Sequence, residues 1–394
     1  MPTASLGPGY RYTLCLPGGD HERDAALIQR NFTRPLKAWA LFAALVCAFS
    51  FAAPARAQGD QLEPSLLRSP QLTPDQKKRV EAYVSAHSKQ LSGKAEGISK
   101  DRAALLEPLR GTGAATPFRL EYSGLLVDPV LMPLLASENE LVVVNAVVIA
   151  GDLATQRSVD LLKEAASSAK PAVRYEASYG LRRTFEALSS MEAPSIQSDQ
   201  VDAAIDFIGG RIGKEGDAIV VDGLVRAALE AAKLPRHRSR ALSVLSKEVS
   251  ARCRALSPAD APDALLQSML RAGIGARDTL AGPRGQIDVA TLSSVAKLGG
   301  QLVALAVRAV ELRATQSGGV DRRDRLADIA GAGETLALLA LNLQGSRPPE
   351  TKRFDESIKT AEAQFLVDAK DFLGARGPLV GEPFKIPAAE FPLK

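Results

Sequence analysis

Histidine and cysteine are scarce in this chain, with three of each among 394 residues. The histidines are His21, His87 and His237, too few and too dispersed to suggest a hydrolase built on imidazole. Cys15, Cys47 and the only tryptophan, Trp39, fall within the first 57 residues, so Cys253 is the one thiol beyond them. Aromatic residues make up only 5% of the chain although 46% of it is hydrophobic. Alanine and leucine carry the difference, and both are strong helix formers and poor fillers of a sheet. No stretch alternates apolar and polar residues as a half-buried strand would. The expectation is an all-α protein. Charge of one sign is missing too. The net charge is +4, and three units of it come from the first 57 residues, where Arg11, Arg23, Arg30, Arg34, Lys37 and Arg56 face Asp20, Glu22 and Asp24. A remainder near neutrality gives no case for a nucleic-acid partner.

Arg30, Arg34 and Lys37 precede an apolar run from Ala38 to Ala53, and Pro54-Ala55-Arg56-Ala57 follows ahead of Gln58. A basic flank, an apolar centre and small residues at a cleavage point are the three parts of a signal peptide. The run of about 16 residues is short of the roughly 20 that span a bilayer as a helix, which weighs against a retained anchor. Cys47 sits mid-run behind Val46, which is not the small residue that precedes a lipid-modified cysteine. Residues 1–29 are long for a basic flank, as expected if translation starts further downstream. Cleavage between Ala57 and Gln58 leaves Cys253 alone, so a mature intramolecular disulfide is excluded. The chain is therefore expected in the periplasm or outside the cell, with no transmembrane segment after cleavage.

Helical patterns follow. Residues 58–73 are polar and proline-punctuated, and are expected as a mobile entry. Thr73-Pro74-Asp75 makes a good helix start, with Thr73 as N-cap and Pro74 in the first turn. Ser99 is expected to cap a second helix. Further on, Val201, Ala204, Ile205 and Ile208 share one face of a helix, as do Val220, Leu224, Val225 and Ala228. A helix over 239–256 places Cys253 on its apolar stripe as a buried, inert thiol. A loop is expected from Gly273 to Gly285, a long helix from Asp288 to about Thr315 that Gly299-Gly300 breaks at its middle, another over 322–343, and a last one over 355–373. Lys297, Arg308 and Glu311 interrupt the long helix and argue against a membrane span. Pro378, Pro383, Pro387 and Pro392 should hold the last twenty residues extended across the surface.

An internal repeat stands between these segments. Val142-Val143-Val144-Asn145-Ala146 returns as Val173-Arg174-Tyr175-Glu176-Ala177, 31 positions later, and Val130-Leu131 returns as Leu161-Leu162. Each unit reads as helix, polar turn, helix, with small residues (Ala146, Ala150 and Gly151, then Ala177 and Gly180) where helices must cross closely. Lys170-Pro171-Ala172-Val173-Arg174, followed by Ala177 and Leu181, resembles the second-helix signature of the HEAT-repeat family, in a short bacterial form. The first copy keeps Val142, Ala146 and Leu153 but has Val143 where the family favours arginine. The resemblance covers about residues 116–190. It implies helical hairpins stacked as a short array and extended by further helices, with a surface that binds a protein partner rather than transforming a substrate.

Motifs for chemistry mostly fail. In Gly209-Gly210-Arg211-Ile212-Gly213-Lys214 the first glycine is one residue too close for a phosphate loop, and Glu215 stands where a magnesium-binding hydroxyl is required. Gly331-Ala332-Gly333 lacks a third glycine and a preceding strand, and reads better as a close helix contact. His87 has no Cys or His one turn away to complete a metal face. No catalytic, cofactor-binding or metal-binding residue is therefore assigned, and no cofactor is expected. Two surfaces remain as candidates. In the repeat register Val142, Val173, Ala146 and Ala177 point into a shared core, so Tyr175, Tyr179 and Arg182, with Val144 and Val148 one repeat earlier, form a strip on the other side, expected to be concave, for a partner. Lys233, Arg236, Arg238 and Arg240, around His237, form a basic cluster that offers an anion patch.

The domain organisation expected is a signal peptide over 1–57, an N-terminal helical pair over 58–115, HEAT-like repeats over 116–195, a C-terminal helical region over 196–350, and a final helix with a proline-rich tail over 351–394. The function expected is an exported, non-catalytic interaction scaffold, against the alternatives of a carboxylate-based hydrolase or a structural envelope protein. N-terminal sequencing of the exported protein should begin at Gln58. A sequence that begins upstream, with the apolar run intact, would make the leader a membrane anchor.

Overall fold

A computed structural model describes residues 61–110, 113–191, 193–282, 287–317 and 319–393. The leader, its cleavage point, Cys15, Cys47 and Trp39 lie outside the described residues. Among the described residues there is no strand. The helices run in chain order α1 (Pro64–Leu67), α2 (Pro74–His87), α3 (Ala95–Leu106), α4 (Thr116–Leu126), α5 (Met132–Leu134), α6 (Glu140–Leu153), α7 (Gln156–Ala165), α8 (Pro171–Ser190), α9 (Ser198–Lys214), α10 (Ala218–Ala231), α11 (Arg238–Ala255), α12 (Asp263–Ala281), α13 (Val289–Glu311), α14 (Ala314–Ser317), α15 (Gly319–Leu343), α16 (Phe354–Thr360) and α17 (Glu362–Leu373). A π-helical turn, Val127–Leu131, joins α4 to α5.

Local chemistry sets the starts. Thr73 accepts from Gln76 N–H while the Gln76 side chain accepts from Thr73 N–H, a complete capping box behind Pro74. Asp217 caps α10 through Ile219 and Val220 N–H, and Asp288 caps α13 through Thr291 N–H. Pro171 opens α8, where its missing donor costs nothing.

The helices pair into hairpins and the hairpins stack. A first-helix row runs α4, α7, α9, α11, α13, and a second-helix row runs α3, α6, α8, α10, α12, α15, each member packed on the next. This is a helical repeat fold. The two copies separated by 31 residues are neighbouring hairpins, with α6 and α8 side by side. Val142, Ala146, Val173 and Ala177 are all buried there. Gly151 and Gly180 let α6 and α8 touch, since a Cβ on Gly151 would stand 2.7 Å from the Gly180 Cα. The α13–α15 crossing uses the same device, because a Cβ on Gly333 would lie 2.6 Å from the Gly299 carbonyl oxygen. α13 runs unbroken through Gly299-Gly300. By length and composition α13 and α15 are apolar enough to cross a membrane, each with mean hydropathy 1.4; here they pack on each other with most of that surface buried.

Besides the unbroken α13, five expectations need correcting. The single helix expected over 355–373 is two, α16 and α17, parted at Ala361. Ser99 lies inside α3, whose N-cap is Lys94. Residues 61–73 are seated, because Leu62, Leu66 and Leu72 bury themselves against the core. The segment from Gly273 to Ala281 is helix rather than loop. Gly273 and Gly275 there face Leu302 and Leu229 at distances that exclude a side chain, so they serve close packing and not a break. The C-terminal tail is not spread on the surface. It turns back after α17, buries Leu379, Ile386 and Phe391, and sets the Phe391 ring against Gly300 of α13.

Glu215, in the turn between α9 and α10, ties four helices together. Its side chain is almost fully buried. Arg174 of α8 meets it with two parallel bonds of 2.9 Å, Arg211 of α9 adds a third at 3.2 Å, and Asp217 N–H donates at 2.9 Å. The Glu215 carbonyl accepts from Arg252 of α11 at 2.6 Å. Arg174 also donates to the Ser168 and Ala169 carbonyls, closing the α7–α8 turn. Burial by itself would raise the carboxyl pKa. The Arg174 and Asp217 bonds and the guanidinium charges outweigh it and hold Glu215 below the ordinary value.

A second pattern recurs along the first-helix row. Arg252, in the last turn of α11, donates to the Ile212 and Glu215 carbonyls at the end of α9. Arg308, in the last turn of α13, donates to the Cys253 and Arg254 carbonyls at the end of α11. Each helix end is thus satisfied by an arginine from the following hairpin.

Glu215→Ala should cost about 3–5 kcal/mol, because it strands the buried Arg174. Arg240→Ala, which breaks an exposed pair with Asp206, should cost less than about 1 kcal/mol. Urea denaturation separates them. Because the Glu215 pKa is depressed, its contribution is present above the unfolded carboxyl value and is lost as pH falls through the folded one. The gap between the variants should therefore narrow in acid, and a constant gap would count against the assignment.

Candidate functional site

The outward face of the second-helix row carries the candidate strip. Val144 and Val148 on α6 are half-buried. Tyr175 on α8 is half-buried as well, and leans toward α10, where a Cβ on Gly223 would lie 3.6 Å from its ring. Tyr179, one turn on, is 37% exposed. Two guanidinium groups stand over its ring, Arg183 at 5.1 Å and Arg182 at 5.6 Å. Arg183 is anchored from behind by Asp152 at 3.3 Å, Glu176 at 3.2 Å and the Val148 carbonyl at 2.9 Å.

Burial raises the carboxyl pKa of both Asp152 and Glu176, with the Arg183 charge opposing. Carboxylate hydrolysis needs one acid raised and its partner kept ionised, whereas both of these are raised. Here they share one arginine, and neither lines the groove described next.

That groove, of about 580 Å³, continues the strip across α8, α10 and α12. Leu229 and Gly275 are part of its lining, and Arg182, Arg226, Lys233, Arg238 and Arg271 line it against only two lining carboxylates, Glu230 and Asp278. The anchoring is one-sided. Arg226 and Arg271 each use Nε on the same carboxylate, Asp222, at 2.7 Å. Their terminal nitrogens make no hydrogen bond among the described residues. Lys233 sits 2.9 Å from Glu230, and Arg182 reaches that carboxylate at 3.9 Å. Guanidinium groups held at Nε and open at their terminal nitrogens are oriented to receive an oxyanion in two-point fashion.

The structure thus brings together members of both predicted surfaces. Arg182, from the strip, and Lys233 and Arg238, from the basic cluster, line one groove. It separates the other two. Arg240 pairs with Asp206 of α9, and Arg236 is exposed beside a different cavity. Arg226 and Arg271 were missed in the sequence, since 45 positions separate them and only the one-turn Asp222–Arg226 spacing marks either.

Among the described residues no group of His, Cys, Asp and Glu could hold a metal ion. Cys253 is fully buried, which pushes its thiol up to about 12.

No family model matches the chain, and no curated protein matches it either. Among solved structures it is similar to a designed armadillo repeat protein, YIII(Dq)4CqI, at 14% identity over 77% of this chain and 98% of that one, with a TM-score of 0.22. It is similar also to an engineered protein at 15% identity over 78% and 82% of the two chains, with a TM-score of 0.29. Superposition this weak says nothing about what the chain binds.

A thiol reagent should leave Cys253 unmodified in native protein at pH 8 and label it fully in denaturant. Its ionisation also carries a sign. The unfolded thiol loses its proton near pH 8.5 and the folded one does not, so stability should fall as pH rises above that value. Cys253→Ala should flatten part of that fall, and rapid native labelling would show that the core around α11 opens.

Proposed function

We propose that this chain is an exported protein-interaction scaffold of HEAT-like repeats, which binds an acidic, extended segment of a partner protein along its second-helix row. The observation that carries the reading is the groove over α8, α10 and α12, where five cations from consecutive repeats outnumber the lining acids and two of them keep their terminal nitrogens open. Neighbouring helix axes in such stacks lie about 8–10 Å apart, and an extended chain rises roughly 3.3 Å per residue. Acidic residues at about every third position would meet successive helices. An apolar or aromatic residue further along would meet Tyr175 and Tyr179, and tyrosine beside arginine is a common hot-spot composition. The short HEAT-like signature around Pro171, Val173 and Arg174 supports the family resemblance, and the leader supports export to the periplasm or beyond. On this reading the mature protein has no membrane span, and α13 and α15 are core helices of the array.

The test is affinity capture from envelope extract with the mature protein beside the charge-reversal variant Arg182→Glu/Arg271→Glu. Arg182 and Arg271 face Glu230 and Asp222, so the reversal sets like charges together, and capture is compared below the melting temperature of both proteins. Capture of the wild-type partner should drop at least tenfold and should weaken with salt in the wild type. Retention of the same partner by the reversed variant would remove the groove from the interface.

A further inference from the structure

The first turn of α9 and the entry to α11 align a serine, a histidine and an aspartate. His237 is 8% exposed. Its Nδ1 lies 2.7 Å from Asp202 Oδ1 and its Nε2 lies 3.4 Å from Ser198 Oγ. A carboxylate at Nδ1 keeps the ring proton on that nitrogen, so Nε2 turns a lone pair toward the serine hydroxyl. Ser198 and Asp202 stand one turn apart on the same helix face, which lets them reach opposite nitrogens of one ring.

The surroundings suit chemistry at that serine. Ser198 is exposed. With His237 it lines a cavity of about 440 Å³, walled by Leu188, Ile196, Val201 and Leu234. In the first turn of α9, Gln200 and Val201 N–H are taken by the Gln197 carbonyl. The Ser198 and Asp199 N–H groups make no hydrogen bond among the described residues, and they sit at the positive end of a 17-residue helix. A ring that merely clipped α9 to α11 would need Asp202 alone. That role explains neither the exposed serine on the second nitrogen nor the apolar cavity beside it.

We propose that Ser198, His237 and Asp202 form a serine acyl-transfer site that hydrolyses esters of short apolar acyl groups, a capacity separate from the binding groove. Ser198 Oγ attacks the ester carbonyl carbon as its proton passes to His237 Nε2. The negative oxygen that forms is received by the Ser198 and Asp199 N–H groups. His237 returns the proton to the alcohol oxygen as the carbonyl carbon–oxygen bond breaks, leaving an acyl-serine. Water then attacks that ester, with His237 taking its proton and handing it back to Ser198 Oγ, and a carboxylic acid leaves. Asp202 is a positioning residue: it touches the imidazole and not the substrate. The acyl chain occupies the Leu188, Ile196, Val201 and Leu234 walls.

The mature protein should take a fluorophosphonate probe covalently on Ser198, located by peptide mass, and should hydrolyse p-nitrophenyl butyrate. Ser198→Ala should lose both at an unchanged melting temperature, since the residue is exposed. Asp202→Asn should slow ester hydrolysis at least tenfold with the melt monitored alongside, and Asp202→Glu should recover part of the rate. Wild-type protein that neither takes the probe nor exceeds Ser198→Ala in hydrolysis would overturn the proposal. So would hydrolysis that persists undiminished in Ser198→Ala.

Discussion

The carboxylate of Glu215 is the contact on which the register of the array depends. One buried anion gathers two arginines and a backbone N–H, and its own carbonyl takes a third arginine from the next hairpin. Apolar packing between alanine-rich helices is permissive about rotation and sliding, because small side chains leave few interlocking shapes. A charge-paired hub at a turn is not permissive. It fixes where α8 and α11 stand relative to the α9–α10 corner. The same residue that spoils a phosphate-loop motif in the sequence is thus a structural anchor, and Gly209 and Gly213 beside it face Val244 and Glu248 across the α9–α11 contact.

What the sequence revealed followed from periodicity. The 31-residue offset located two hairpins, and the helical stripes around Val201, Val220 and Cys253 all proved buried. Small residues at 151 and 180 marked a true close crossing. Where reading failed, glycine and proline were taken as breakers. Gly273 and Gly275 are packing residues inside a helix, and the tail with its four prolines folds back and buries Leu379 and Phe391. The later hairpins keep the architecture while the signature around Arg174 fades, so the repeat resemblance stops near residue 190 although the stacking goes on.

The site residues were harder to find for a different reason. Tyr175, Tyr179 and Arg182 lie within three turns of one helix, so helical spacing alone places them. Arg226 and Arg271 meet only because α10 and α12 stack, and local sequence carries no record of that. Ser198 and Asp202 share a helix face, but His237 arrives from 35 positions away. Counting histidines argued against imidazole chemistry, but a count does not show that α9 alone meets both nitrogens of the one ring at the start of α11.

The arginines at the ends of α11 and α13 give the stack a direction. Arg252 closes the end of α9, and Arg308 closes the end of α11. Both of these closures point backward, from a later hairpin to an earlier one, whereas Arg119 of α4 closes the end of α6 from in front. A chain that emerges amino-terminus first therefore leaves the carbonyls at the ends of α9 and α11 open until α11 and α13 follow. These two ends are latches fastened from behind by the piece that comes after, so loss of α13 would leave the Cys253 and Arg254 carbonyls without their arginine.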